Sequence, residues 1–406
     1  MGLRSYWKEL LAVLLLIVII GIEPLYRQPG YDYSLEFILS WQQKGNETRK
    51  RFFKFISLFA TNGVIAALFL AIYSFFSRRL LIKSILVIYI CQNIITLFKV
   101  FYHDPRPYLS SDEIEAMNCS SGYGNPSGHC LFTTGFYGSM WVLLFPNNTE
   151  KEPLLIPHKV TRLFIQWVSF VLVVSLIVLT FFARLYLGAH GLNQTIYGTL
   201  LGLWVVYTFG VVIPRYVDYH YDHFITKGQL INPINVAFTV VVIIFAILQL
   251  LNVILYFSLR NHNDFMNPEW RTRLDLKCPN FKTTPFQDSF KGGLHSSLYV
   301  FMYFSQIFAA RMFPIAFNYW RSNIGATKFT LRTLNLVIIL GLCYLPYFLT
   351  RNSSFGLKIC LGVLVSNILI MAFGVPLVDW STERLSLINT GTSKERASTD
   401  ETYGVV

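Results

Sequence analysis

The chain has 406 residues, of which 53% are hydrophobic and only 14% are charged. Soluble globular proteins carry about 25% charged residues, so this composition excludes an ordinary soluble domain and predicts a membrane protein. The formal net charge of +12 comes from cations scattered among apolar runs, which favours basic loops at a membrane surface and argues against nucleic-acid binding.

The apolar residues gather into about ten runs, each near the roughly 20 residues that a helix needs to cross a bilayer. The runs cover residues 8–25, 54–76, 80–98, 129–145, 163–182, 194–213, 235–257, 293–313, 331–349 and 356–377. We therefore predict an all-α membrane bundle of about ten transmembrane helices. The first run is short, but the residues after it lack a small-x-small cleavage pattern, so we interpret it as a retained span.

This segmentation predicts three regions. Residues 1–53 hold the first span and a lumenal loop, and residues 54–380 form the membrane domain with the motifs described next. Residues 381–406 are rich in Ser and Thr and have no apolar periodicity, so we expect a disordered cytosolic tail.

Two cations follow one another at the end of the third run. Lys99 ends the run, and Arg106 comes seven positions later between Pro105 and Pro107. Because prolines fix backbone angles and stop helices, we expect the Arg106 guanidinium to project from a stiff turn. Arginine offers a planar fork to two phosphate oxygens and lysine offers a point charge. A pair of snorkelling interfacial cations is the alternative.

The segment Pro126-Ser127-Gly128-His129 opens the fourth run. Free backbone N–H groups at a helix N-terminus bind anions. Pro126 suits the first turn, while Gly128 lets the backbone approach an oxyanion closely. The Ser127 hydroxyl would bind the same anion, and His129 would serve as a general acid. The alternative is an ordinary helix cap beside an interfacial histidine.

Arg184 and His190 flank the connection between the fifth and sixth runs. Arg184 would bind a third phosphate oxygen, and neutral His190 would attack phosphorus in line to form a phosphohistidine. Water would then hydrolyse this intermediate, with His129 switching from acid to base. By itself, His190 is better explained as a satisfied interfacial histidine. The two preceding clusters favour the catalytic role.

All three clusters are predicted to share one membrane face, because they lie in loops after odd-numbered spans. The basic even-numbered connections favour a cytoplasmic N-terminus and a lumenal or external face for the clusters. Cys119 and Cys278 lie in long loops on that face, so the sequence allows a disulfide without establishing one. The sequons at Asn46, Asn118 and Asn352 fall in the same predicted lumenal loops and are candidate glycosylation sites.

The order Lys99-x6-Arg106-Pro107, Pro126-Ser127-Gly128-His129, Arg184-x5-His190 resembles the three motifs of the type 2 phosphatidic acid phosphatase superfamily. Residues 119–129 and 183–190 most resemble its glucose-6-phosphatase branch. The resemblance implies a phosphohydrolase of the endoplasmic reticulum membrane that needs no metal or cofactor, with its active site facing the lumen. It implies that His190 is the nucleophile and His129 the acid, and that the phosphate is held by Lys99, Arg106, Ser127, Gly128 and Arg184. A sugar-phosphate transporter is the expected partner.

Two positions depart from the superfamily pattern. Ala183 replaces a serine before the third-motif arginine, and Gln194 replaces an aspartate that would orient the nucleophile. The glucose-6-phosphatase branch resembles this chain in having Gln there, so we expect Gln194 to support the ring without supplying charge. The leading prediction is hydrolysis of glucose 6-phosphate or a similar sugar phosphate. Two alternatives stay open: a lipid phosphatase acting on phosphatidate, sphingoid-base phosphate or polyprenyl diphosphate, and a catalytically weak structural subunit.

Overall fold

The computed structural model describes residues 6–120, 122–146, 159–220, 236–259, 267–279 and 326–350, together with isolated positions in 292–306 and most of 362–385. Within these residues the regular structure is helical and no strand occurs. The chain divides into two compact units. The first comprises Met1–Ala67, Lys83–Tyr219 and Ile234–Ser297, and the second comprises Leu68–Ile82, His220–Pro233 and Leu298–Val406. The three predicted clusters all lie in the first unit, and the all-α prediction is confirmed.

The helices of the described residues follow in chain order. They are α1 (Trp7–Gln43), α2 (Glu47–Leu58), α3 (Asn62–Phe75), α4 (Arg78–Tyr102), α5 (Pro107–Ser110), α6 (Gly128–Phe132), α7 (Gly138–Leu144), α8 (Lys159–Tyr186), α9 (Leu192–Val205), α10 (Pro214–His220), α11 (Val236–Leu259), α12 (Pro268–Lys277), α13 (Ala326–Cys343), α14 (Leu345–Thr350), α15 (Ser366–Leu369) and α16 (Val375–Arg384). Two π-helical segments join neighbouring helices: Thr133–Tyr137 between α6 and α7, and Val206–Val212 between α9 and α10.

Several of these helices are long and apolar enough to cross a membrane. Four segments of the described chain meet that condition alone: Trp7–Gln43, Arg78–Ser110, Val160–Tyr186 and Leu192–Tyr219. The bent pair α2 and α3 would add a fifth. The protein is therefore a multi-pass membrane protein. The predicted run 293–313 lies largely outside the described residues and the run 356–377 lies partly outside them, so the count of ten spans stays a prediction.

Helix α1 is much longer than the first apolar run. It continues to Gln43 and contains Pro24 and Pro29, so the loop expected after residue 25 is wrong over most of its length. The physical reason is burial: the second half of α1 packs against α9 and places Tyr31, Ser34 and Ile38 inside the protein. This tertiary contact outweighs the helix-breaking tendency of the prolines.

Helix α9 lies at the centre of the first unit and contacts both α1 and α6. Two glycines of α9 bring its backbone against α6 and the π-helical segment after it. A Cβ on Gly198 would lie 2.5 Å from the Ser127 carbonyl oxygen, and one on Gly202 would lie 2.6 Å from Thr134 Cβ. Only glycine permits this approach, so the start of α6 is held directly against α9.

The second unit contains a buried ion pair between Arg78 and Asp379, and Arg78 also donates to Gln306 Oε1 at 3.0 Å. Its helix α16 runs to Arg384 and so includes the first residues of the segment 381–406 that we expected to be disordered. The rest of that segment lies outside the described residues.

Candidate active site

Arg106 projects from a short turn after α4, as the prolines around it predict. It is the N-cap residue of α5, with Pro107 in the first helical position. Lys99 lies in the last turn of α4. The Arg106 side chain is almost fully buried, with 2% of its surface exposed. A permanently charged group is therefore held inside the protein, just beyond the end of α4.

The Arg106 guanidinium ties several segments together. Nε donates to the Gly122 carbonyl at 2.6 Å, and Nη1 donates to the Ala189 carbonyl at 2.9 Å. Nη2 donates to Ser120 Oγ at 3.0 Å and to the Tyr123 carbonyl at 3.3 Å. These bonds fix the plane of the guanidinium relative to the segment before α6 and the turn after α8.

His190 lies in the turn between α8 and α9 and has a defined tautomer. It is buried, its Nδ1 lies 2.8 Å from the Gly124 carbonyl oxygen, and its Nε2 lies 3.1 Å from Arg106 Nη1. Because a carbonyl oxygen only accepts, Nδ1 carries the proton and donates to Gly124. Nε2 then presents its lone pair and accepts from Arg106. The ring is neutral, with its unprotonated nitrogen directed at a cation.

The surroundings of His190 keep this ring neutral. Burial lowers the pKa of His190 well below its ordinary value of 6.5. The positive groups around the ring act in the same direction and, from largest to smallest effect, are Arg106, Arg184, Lys99 and His129. The residues of all three predicted clusters therefore share one electrostatic environment around His190.

Arg184 lies in the last turn of α8 and is 1% exposed. Its Nη1 donates to Ser57 Oγ at 3.3 Å, whereas its buried Nε has no hydrogen-bond partner. Among the residues that the structure describes, no carboxylate forms an ion pair with Arg184. Its backbone carbonyl accepts from the His190 N–H at 3.2 Å. A buried cation with a spare donor beside His190 is suited to binding an anion.

Ser127 is the N-cap residue of α6, and its hydroxyl accepts from the Cys130 N–H at 3.5 Å. Gly128 and His129 form the first turn, and the His129 side chain is partly exposed. We expected Pro126 in that first turn. It lies instead one residue before the N-cap, because the Ser127 side chain already caps the helix.

Gln194 supports His190 indirectly. Its Nε2 donates to the Pro105 carbonyl at 2.8 Å, and its Oε1 accepts from the Gly191 N–H at 3.1 Å. The expected contact with the imidazole is made instead by the Gly124 carbonyl. A Cβ on Gly124 would lie 2.5 Å from Gln194 Nε2, so the amide packs against the peptide that orients the ring.

A disulfide joins Cys119, close to this cluster in sequence, to Cys278 at the end of α12. Lys277 strengthens the same connection, since its Nζ donates to the carbonyls of Tyr108, Ser111 and Ile114 at 3.1, 2.6 and 2.9 Å. Helix α12 is thus attached to the loop that leads from Arg106 to the start of α6.

Sequence patterns did not reveal several of these contacts. The Gly124 carbonyl, the Ser57 hydroxyl and the carbonyls that hold Arg106 carry no motif, because backbone acceptors leave no signature in a sequence. The Gly122-Tyr123-Gly124 spacing was the only available signal, since glycines mark close backbone approaches.

Comparison with known families identifies this region. Residues 79–217 match the PAP2 superfamily model. The chain contains a PAP2 superfamily domain. The matched range holds every predicted site residue, and members of the superfamily are phosphatases. Neither the curated proteins nor the solved structures give a significant match to the chain. The superfamily resemblance is confirmed for this domain, whereas the likeness to glucose-6-phosphatase stays a prediction.

Proposed function

We propose that the PAP2 domain hydrolyses glucose 6-phosphate, or a similar sugar phosphate, through a phosphohistidine on His190. The family match supports a phosphoric monoester hydrolase in general. The observation that carries the mechanism is the orientation of His190, which donates from Nδ1 to Gly124 and directs the Nε2 lone pair toward Arg106. This nitrogen is the nucleophile.

In the first step, His190 Nε2 attacks phosphorus while the bond to the sugar oxygen breaks. His129 donates a proton to that oxygen, and the sugar leaves. In the second step, His129 removes a proton from water, which attacks the phosphohistidine and releases inorganic phosphate. The groups that hold the phosphate in both steps are Lys99, Arg106, Ser127, Gly128 and Arg184. The positive charge of Lys99, Arg106 and Arg184 neutralises the equatorial oxygens in the transition state, and the Ser127 hydroxyl and the Gly128 N–H would donate hydrogen bonds to them.

We propose a sugar phosphate as the substrate because of the motif resemblance and because Gln194 stands where the wider superfamily has an aspartate. A specific observation favours the lipid alternative: an apolar crevice of about 110 Å³ lies between α1, α8 and α9. It is lined by Tyr33, Ser34, Phe37, Phe181, Phe182, Leu185 and Leu192. Leu185 and Leu192 flank the turn that holds His190. The crevice would therefore suit an acyl chain of a lipid phosphate that enters from the bilayer.

The disulfide supports a location for the site. Disulfides persist in oxidising compartments, and Cys119 lies in the loop between Arg106 and Ser127. We propose that this loop faces the lumen of the endoplasmic reticulum. A cytosolic sugar phosphate would then need a transporter to reach it.

The test is phosphate release by the purified, detergent-solubilised chain from glucose 6-phosphate and from phosphatidate in mixed micelles. We expect turnover of the sugar phosphate, retention of activity in EDTA, and loss of activity in His190→Ala and His129→Ala. Equal release by the wild type and both variants would refute the proposal. A clear preference for phosphatidate would favour the lipid phosphatase.

A further inference from the structure

Helix α1 lies outside the residues that match the family model, yet it contacts the peptide that orients His190. Glu23 of α1 is fully buried, and its Oε1 accepts a hydrogen bond from Asn125 Nδ2 at 2.8 Å. Asn125 directly follows Gly124, whose carbonyl accepts from His190 Nδ1. One peptide unit therefore separates an α1 carboxylate from the group that sets the tautomer of the proposed nucleophile.

The other side of Gly124, in the preceding peptide, is also held from α1. The Gly124 N–H donates to the Asp104 carbonyl at 2.8 Å. Arg27 binds the Asp104 carboxylate with two nitrogens, one of them Nε at 3.0 Å from Oδ2. Its Nη2 also donates to the Tyr102 carbonyl at 3.1 Å. Glu23 and Arg27 lie one helical turn apart, so one face of α1 fixes Gly124 from both directions.

A buried carboxylate in a membrane helix is costly and needs a specific partner. Gly30 of α1 already lies against Asn193 of α9, so this contact does not depend on Glu23 alone. The ion pair of Arg27 with Asp104 does not require Glu23 either. Asp104 lies closer to the Arg27 guanidinium than Glu23 does, since Glu23 Oε1 is 3.8 Å from Arg27 Nε. Glu23 also interacts with Arg27 and Tyr102, but its hydrogen bond to Asn125 is the contact that reaches the residue next to the Gly124 carbonyl.

We infer that Glu23, through Asn125, and Arg27, through Asp104, are positioning residues that fix the Gly124 carbonyl and with it the tautomer of His190. This inference rests on the proposed function. It explains how the nucleophile is oriented in a chain whose Gln194 supplies no charge and does not bond to the ring. The carboxylate that orients the site comes from the N-terminal helix.

The test compares kcat and KM for p-nitrophenyl phosphate among variants of this contact. Glu23→Ala frees the Asn125 amide, and we expect kcat to fall about 10- to 100-fold with KM changed little, because the phosphate-binding cations are untouched. Glu23→Gln keeps an acceptor oxygen and retains most of the activity. Asn125→Asp places two carboxylates together and lowers kcat. Adding Glu23→Gln to Asn125→Asp restores it, since the new amide donates to the new carboxylate.

Gln28→Ala is the matched control, since Gln28 is exposed on the same helix and bonds to Asp32. It should leave both constants unchanged. A wild-type kcat in Glu23→Ala, an effect on KM alone, or a double variant no better than Asn125→Asp would each overturn the inference. If Glu23→Ala does not fold, the Asn125→Asp pair decides. An inactive wild type would instead refute the proposed function.

Discussion

His190 is oriented by a backbone carbonyl where the superfamily pattern has a carboxylate. A carboxylate would orient the ring and also raise the pKa of the imidazole by stabilising its cation. The Gly124 carbonyl orients the ring without that charge, and burial, followed by the surrounding cations, then lowers the pKa of His190. The proposed nucleophile is therefore expected to be protonated at lower pH than an ordinary histidine.

We therefore predict an acid limb of the kcat/KM profile below pH 6.5. His190 attacks only when neutral, and burial together with nearby positive charge lowers its pKa below that value. Protonation, and loss of activity, then occur at lower pH than for an ordinary histidine. Arg106→Gln removes the largest of the charge effects, so its residual activity should show an acid limb at higher pH than the wild type.

The control for this profile is Arg49→Gln, which removes an exposed cation of α2. Its acid limb should coincide with that of the wild type. A wild-type limb at or above pH 6.5, or an unmoved limb in Arg106→Gln, would contradict the assignment of His190 as the neutral nucleophile.

At the residue scale, the sequence was informative where side-chain chemistry carries the signal. Arg106 and His190 could be named because cations and imidazoles in that order suggest phosphoryl transfer. The contact between Glu23 and Asn125 could not, since 102 residues separate the two and neither belongs to a motif. The role of Gln194 was only partly foreseen, because its hydrogen bonds go to backbone groups that the sequence does not place.

At the scale of elements, the start of α6 depends on its contact with α9. Gly198 meets the Ser127 backbone there, and Gly202 meets Thr134 one turn further along. The proposed phosphate site thus depends on two helices that touch without intervening side chains.

We predict that Gly198→Ala lowers both activity and thermal stability. The added Cβ would lie 2.5 Å from the Ser127 carbonyl oxygen, so the two backbones must separate, at a cost of about 1–3 kcal/mol. Gly21→Ala is the matched control, because a Cβ on Gly21 of α1 meets nothing within 4 Å. It should match the wild type or melt slightly higher. Equal melting temperatures and kcat in both variants would contradict this packing.

The disulfide between Cys119 and Cys278 makes a second prediction for the elements. Reduction of the disulfide, or the double substitution Cys119→Ser and Cys278→Ser, should lower the melting temperature in detergent. The expected loss in the free energy of unfolding is up to about 2–4 kcal/mol. Lys277 still links α12 to the loop, so part of the activity should survive. Reductant should have no further effect on the double variant. Identical thermal stability before and after reduction of the wild type would contradict the structural role of the bond.

The helices themselves were foreseen unevenly. The start of α6, the end of α7 and both ends of α8 agree with the predicted runs within about four residues, because a serine cap and apolar run lengths mark them. The extension of α1 to Gln43 was not foreseen, since its prolines and polar residues are typical of a loop and its packing against α9 is not visible in the sequence.

At the scale of the whole molecule, composition and run length were sufficient to predict a multi-pass helical membrane protein. Motif order was sufficient to predict the PAP2 domain that residues 79–217 contain. What the sequence could not supply is the contribution of α1, which lies outside that domain and still holds its Gly124 peptide. The proposed site is thus a product of the first compact unit and not of the matched domain alone.

The most direct test of the account is to trap the phosphoenzyme. Wild type, His190→Ala and His129→Ala would be mixed with p-nitrophenyl phosphate, quenched in base, and mapped by mass spectrometry. This leaving group needs no proton, so His129→Ala should still form the intermediate and accumulate it for want of a base. We predict phosphate on His190 in the wild type, more of it in His129→Ala, and none in His190→Ala. Turnover with no phosphate on His190, or with phosphate on another residue, would contradict the account.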